Sequence, residues 1–82
     1  MVYYVYMLKC VGCKKRLSYV GYTNNLKLRT SLHNTSKGAK FTRGNQWKVI
    51  YKKKFLSKPK AMKYEYFLKK NQKMRSEIFN NS

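Results

Sequence analysis

An 82-residue chain holds one compact domain around one modest core and is too short for two independent cores. Its 20 Lys and Arg against 2 acids give a formal charge of +18, yet 43% of residues are hydrophobic and 16% aromatic, which excludes a disordered basic tail. No apolar run reaches the length of about 18 residues that spans a bilayer, and the cations do not gather on one amphipathic helix, so the charge points to nucleic acid before a membrane.

Residues 2–10, rich in Val, Tyr and Leu, read as a strand, and 17–23 as a second strand joined to it by a polar turn. Both faces of the first strand are largely apolar (Tyr4, Tyr6 and Leu8 on one, Tyr3, Val5 and Met7 on the other), which places it at the centre of a sheet. The N-terminus has no positive n-region ahead of its apolar stretch, so a signal peptide is not expected and the location expected is cytoplasmic. Cys10 and Cys13 form a lone pair in the turn; with His33 as the one further soft ligand, a four-ligand zinc site is not expected, and two reduced thiols are. Lys14, Lys15 and Arg16 put three cations in the same turn, where they are candidates for contact with nucleic acid.

Thr23-Asn24-Asn25 supplies N-cap chemistry for a short helix over 25–33, with Leu28 and Leu32 one turn apart and Arg29 and His33 in the same i, i+4 relation. The stretch 34–46 reads as a loop whose Lys37, Lys40 and Arg43 suit phosphate contact beside Gly38 and Gly44. A third strand follows over 47–55, with Trp47 as core. Ser57 and Pro59 then start a helix over 59–70, because proline is tolerated in a first turn whose amides lack helical acceptors. The basic tail 71–82 carries Met74, Ile78 and Phe79, enough for a final helical turn or two covering an exposed edge of the sheet. The fold expected is α/β (α+β): a small three-stranded antiparallel sheet flanked by helices, in a single domain over 1–82 with its motif core at 3–70.

The chain has no Asp, and its acids are Glu65 and Glu77. Carboxylate or metal chemistry must therefore use one of these. Glu65 lies about 40° from Ala61 and about 60° from Leu68 around the helix, on the inward stripe, where an acid is costly unless paired or metal-bound. An ion pair with Lys69 or with Arg29 is the plainer account of the same position. Tyr6 and Tyr19 are expected to face one another across the hairpin, with Gly21 leaving room for a close approach.

In chain order, Tyr4-Val5-Tyr6, Tyr19-Val20-Gly21, Arg29-x-x-x-His33, the loop 37–43 and Ala61-x-x-x-Glu65 resemble the motifs of the GIY-YIG endonuclease superfamily. The chain looks most like its small UPF0213 members, which are related to the nuclease domain of structure-specific enzymes of the superfamily. Tyr4 stands where the name-giving Gly is usual, and the interval of 13 residues from Tyr6 to Tyr19 is longer than usual. The resemblance implies a metal-dependent endonuclease, with DNA as substrate, in a repair or recombination setting. It implies one Mg²⁺ (or Mn²⁺) on Glu65, Arg29 neutralising the phosphoryl oxygens, Tyr6 activating water, and His33 and Tyr19 supporting Tyr6. A single cleft in so small a domain would need a partner protein or a second copy to make paired cuts. The alternative is a non-catalytic basic nucleic-acid-binding protein that retains the fold.

Overall fold

The structure is a computed structural model and describes residues 1–35, 40–42 and 44–82, with the backbone alone at Lys40. Three strands, β1 (Tyr3–Val11), β2 (Ser18–Thr23) and β3 (Gln46–Phe55), form an antiparallel sheet in the order β2-β1-β3. β1 is central, as its two apolar faces require. Helices α1 (Leu26–Asn34), α2 (Lys58–Lys70) and α3 (Gln72–Asn80) complete the described fold, and a short 3-10 turn spans Lys40–Thr42.

The pleat divides the core in two. Val5, Met7 and Val20 pack with Ala61 and Leu68 of α2 and, further out, with Met74, Ile78 and Phe79 of α3. Tyr6, Leu8 and Cys10 lie on the opposite face with Trp47, Tyr19, Leu26 and Val49. The C-terminal tail is helical as expected, nine residues or about two and a half turns long, and it lies on a sheet face instead of covering an edge. Asn71 makes the sharp bend possible: its amide N–H bonds to the Leu68 carbonyl to end α2, and its side-chain oxygen accepts from the Met74 amide at 3.0 Å to start α3. A bulge in β3 at Ile50 shifts the register, so that Leu8 pairs with Val49 but Met7 with Tyr51.

Local signals set the helix ends. Asn25 caps α1 by accepting from the Leu28 amide at 3.1 Å, while Ser57 caps α2, with Pro59 in the first turn. The far end of α1 is fastened to β3 by Asn34, whose amide group donates to the Trp47 carbonyl and accepts from the Trp47 N–H, satisfying backbone groups on an edge strand. The inward side of α1 is not its leucine side. Leu28 is 55% exposed, and His33 is fully buried. That face meets the phenols of the sheet, so polar partners serve there better than leucines.

Two further expectations change at the hairpin. Register pairs Tyr6 with Gly21 and Leu8 with Tyr19, so the two tyrosines are diagonal neighbours on one face, with ring centroids 6.4 Å apart, and not directly opposite. Cys10 and Cys13 are joined as a disulfide in place of two reduced thiols; their Cα atoms, 5.8 Å apart, lie within the bridging range. This link and Gly12, at a φ of 78°, shape the turn that sets the register.

Gly21 is required by what stands behind it. A Cβ there would lie 2.6 Å from the Tyr6 hydroxyl oxygen and 2.8 Å from Cζ, and the ring cannot swing away because it is buried and hydrogen-bonded. Gly21→Ala is expected to destabilise the fold by about 1–3 kcal/mol through overpacking. Thermal unfolding should show a midpoint lower by about 4–8 °C for each kcal/mol. An unchanged midpoint would mean that the Tyr6 ring is not held as described.

Candidate active site

A cleft of about 490 Å³ opens at the β2 edge of the sheet, lined by Tyr6, Tyr19, Gly21, Arg29 and Glu65 together with Tyr3, Tyr22, Thr23, Asn24 and Lys58. The helices reach it from both faces, α1 bringing Arg29 and α2 bringing Glu65. Four of the five catalytic residues expected from sequence therefore meet in one concavity. The fifth, His33, sits behind it as a buried support.

Tyr6 and His33 form the inner layer. The Tyr6 hydroxyl lies 2.9 Å from His33 Nε2, and His33 Nδ1 lies 2.8 Å from the Thr42 hydroxyl oxygen. Burial, reinforced by the charge of Arg29, holds the His33 pKa below its usual 6.5, so the ring is neutral at physiological pH. A neutral imidazole has one donor and one acceptor nitrogen. In the tautomer that carries its proton on Nδ1, the ring donates to the Thr42 hydroxyl and Nε2 accepts from the Tyr6 hydroxyl. Burial is also the main reason that the Tyr6 pKa is pushed up to about 12, against the opposing pull of the Arg29 guanidinium and with small upward contributions from Tyr19 and Glu65. Tyr6 is thus a phenol at neutral pH, with a hydrogen-bond acceptor already behind it.

Tyr19 packs on His33 with ring centroids 5.0 Å apart and stacks on Phe41 at 6.3 Å. Trp47 lies 6.0 Å from Phe41 and is buried, which fits a core role; its indole N–H donates to the Thr42 carbonyl. Glu65 has a side chain 19% exposed and lies 3.5 Å from the Lys69 ammonium, so the plainer ion-pair expectation also holds. Its rotation is set from within α2: the neighbouring Tyr64 hydroxyl bonds that of Tyr51 at 2.6 Å, tying the helix to β3.

Among the described residues no group of three or more His, Cys, Asp or Glu is gathered to hold a metal. A lone carboxylate at an open cleft suits a hard divalent cation that completes its shell with water and substrate phosphate. Among the described residues there is also no helix long and apolar enough to cross a membrane.

The expected nucleic-acid contacts fall elsewhere. Lys14, Lys15 and Arg16 lie in the β1–β2 turn, outside the cleft, and Arg16 is engaged by α3 through the Phe79 ring, 4.5 Å away, and the Asn80 side chain. Lys37, Arg43 and the side chain of Lys40 lie outside the described residues. Sequence reasoning missed Thr42, Asn24 and Lys58. Thr42 had a signal in its place within the motif-bearing loop, and Asn24 and Lys58 in their positions at helix starts.

Residues 2–77 match the family model of the GIY-YIG catalytic domain, and the chain belongs to that nuclease superfamily, whose substrate is nucleic acid. Within it the chain belongs to the UPF0213 group. It is 48% identical over 68 residues to a UPF0213 protein of Oceanobacillus iheyensis, covering 82% of this chain and 76% of that one. It is 39% identical over 70 residues to the UPF0213 protein YazA of Bacillus subtilis, covering 84% and 71%. The solution NMR structure of a UPF0213 protein of Bacillus halodurans superposes with a TM-score of 0.54 at 37% identity, over 94% of this chain and 80% of that one.

Proposed function

We propose that the protein is a metal-dependent endonuclease that hydrolyses phosphodiester bonds in DNA, with preference for structured substrates and a place in repair or recombination. The observation that carries this reading is the convergence of Tyr6, Tyr19, Arg29 and Glu65 on one cleft of a chain with a charge of +18. Arg29 binds the phosphoryl oxygens and offsets the charge that grows on them in the transition state. As water attacks phosphorus, the P–O bond to the leaving oxygen breaks with its electron pair on that oxygen; the water proton passes to the Tyr6 oxygen while the Tyr6 proton passes to His33 Nε2, leaving a new P–OH and an imidazolium held through Nδ1–H to Thr42. The relay replaces a free phenolate, which burial disfavours, with a transient imidazolium, which burial and Arg29 disfavour in their turn. Tyr19 holds the His33 ring in place. Glu65 would hold one Mg²⁺ or Mn²⁺, which supplies Lewis-acid polarisation of the phosphate and stabilisation of the leaving oxygen.

The test is incubation of the purified protein with branched, single-stranded and duplex DNA, with Mg²⁺ and with excess chelator. Nicking that appears with the metal and stops in chelator is the expected result. Tight binding of every substrate with no nick in either condition would leave the non-catalytic binder in its place.

A further inference from the structure

A second, larger groove of about 940 Å³ lies on the α1 side of the sheet, with Tyr4 and Val49 among its floor residues and Lys27, Thr30 and Lys52 on its walls. It shares Asn24 with the catalytic cleft, so the two concavities meet around the first turn of α1. Register places Lys54 opposite Tyr4 and Lys52 opposite Tyr6, and residues directly opposite share a face, so both lysines stand on the Tyr4 side of the sheet. The chain's acids do not line the groove, and the first turn of α1 has none, so its positive charge is uncompensated by carboxylates.

Cationic walls beside a partly exposed aromatic ring are what a single strand of nucleic acid recognises: the cations follow the phosphates, and the ring stacks on an unpaired base. A duplex keeps its base faces covered and cannot use the ring. A second copy of this chain is disfavoured by like charge at +18. We propose that the groove binds the single strand that continues from the phosphate held in the cleft, with Tyr4 stacking on a base and Lys27 and Lys52 contacting phosphates. This inference rests on the reading of the cleft as a nucleic-acid site. It makes an unpaired strand next to the scissile bond the feature that selects a substrate.

Fluorescence anisotropy in chelator separates binding from cleavage, using a short oligothymidine, a matching oligouridine and a blunt duplex of equal length. Lys27→Gln with Lys52→Gln is compared with a charge-matched control, Lys63→Gln with Lys73→Gln, all four positions being exposed on the surface. The groove pair is expected to weaken single-strand binding about tenfold more than the control, with the salt slope reduced by about 0.7 for each phosphate no longer neutralised. Tyr4→Leu, which keeps apolar bulk, should weaken single-strand binding about fivefold or more and leave the duplex unaffected. Equal losses in groove and control pairs, or equal losses for strand and duplex, would overturn the proposal. Selective loss with a wild type that nicks nothing in Mg²⁺ upholds the groove and removes the nuclease reading; intact nicking with no selective loss does the reverse.

Discussion

Glu65→Gln is expected to lower metal-dependent nicking by about 10³-fold or more while leaving the fold and the affinity for DNA in place. The magnitude follows from what a bound cation contributes: several kcal/mol of charge stabilisation in the transition state, at tenfold in rate for about each 1.4 kcal/mol. Among the described residues no second acid lines the cleft, so nothing takes over as ligand. Folding is spared because the substitution keeps the shape of the side chain and the interaction removed is one i, i+4 ion pair with the half-exposed Lys69, worth about 0.3–0.5 kcal/mol. Affinity in chelator should hold or rise, since a negative charge is removed from a basic surface facing a polyanion. Single-turnover nicking, thermal unfolding and anisotropy, measured on one preparation, keep the three effects apart. A Glu65→Gln protein that nicks as fast as the wild type would remove Glu65 from the reaction, and one that no longer folds would give its carboxylate a structural role.

That residue was visible in the sequence because acids are so scarce: with no Asp and only Glu77 as rival, an inward-facing Glu65 is conspicuous. Arg29 and His33 were visible through their helical spacing, and the central place of β1 through its two apolar faces. Less was legible where geometry depends on contacts remote in sequence. The Tyr6–Gly21 register depends on a turn containing a left-handed Gly12 and a Cys10–Cys13 bond, and a two-residue slip keeps every side chain on its face, so alternation alone cannot detect it. Which side of α1 faces the sheet was not legible, because Leu28 and Leu32 carry the apolar signal while the buried side is that of His33. Thr42, nine residues from His33, and Asn34, seated on Trp47 thirteen residues on, become partners only once α1 folds back on β3. The same holds for α3, whose Phe79 finds Lys9 and Arg16 from near the other end of the chain.

Tyr6→Phe isolates the proton path and carries the second large effect. Loss of a general base in the transition state lowers rates by about 10²–10⁴-fold, and that range is expected for nicking at neutral pH. The fold also weakens, because Nε2 of a fully buried His33 loses its partner, at about 1–3 kcal/mol. The pH profile of the wild type separates the two ways in which Tyr6 can act. If free phenolate were the base, with a pKa near 12, the rate would climb tenfold per pH unit throughout the neutral and mildly alkaline range. If the proton passes on to neutral His33, the rate is level above the His33 pKa, which lies below 6.5, and falls only in acid. The relay predicts the level profile. Stability follows the same groups with signs of its own. The lowered His33 pKa means that the unfolded chain binds a proton first as pH drops below 6.5, so stability is full above that pH and is lost towards acid. The raised Tyr6 pKa means that the unfolded chain releases its proton first, so stability is full below pH 10 and is lost between 10 and about 12. Tyr6→Phe should remove its own share of the alkaline loss and leave the share of Tyr64, whose pKa burial and the hydrogen bond with Tyr51 also push up to about 12, while the acid loss stays in place. A Tyr6→Phe enzyme within tenfold of wild-type rate, or a wild-type profile with unit slope from neutral pH upward, would take the relay out of the mechanism and leave Tyr6 as a wall of the cleft.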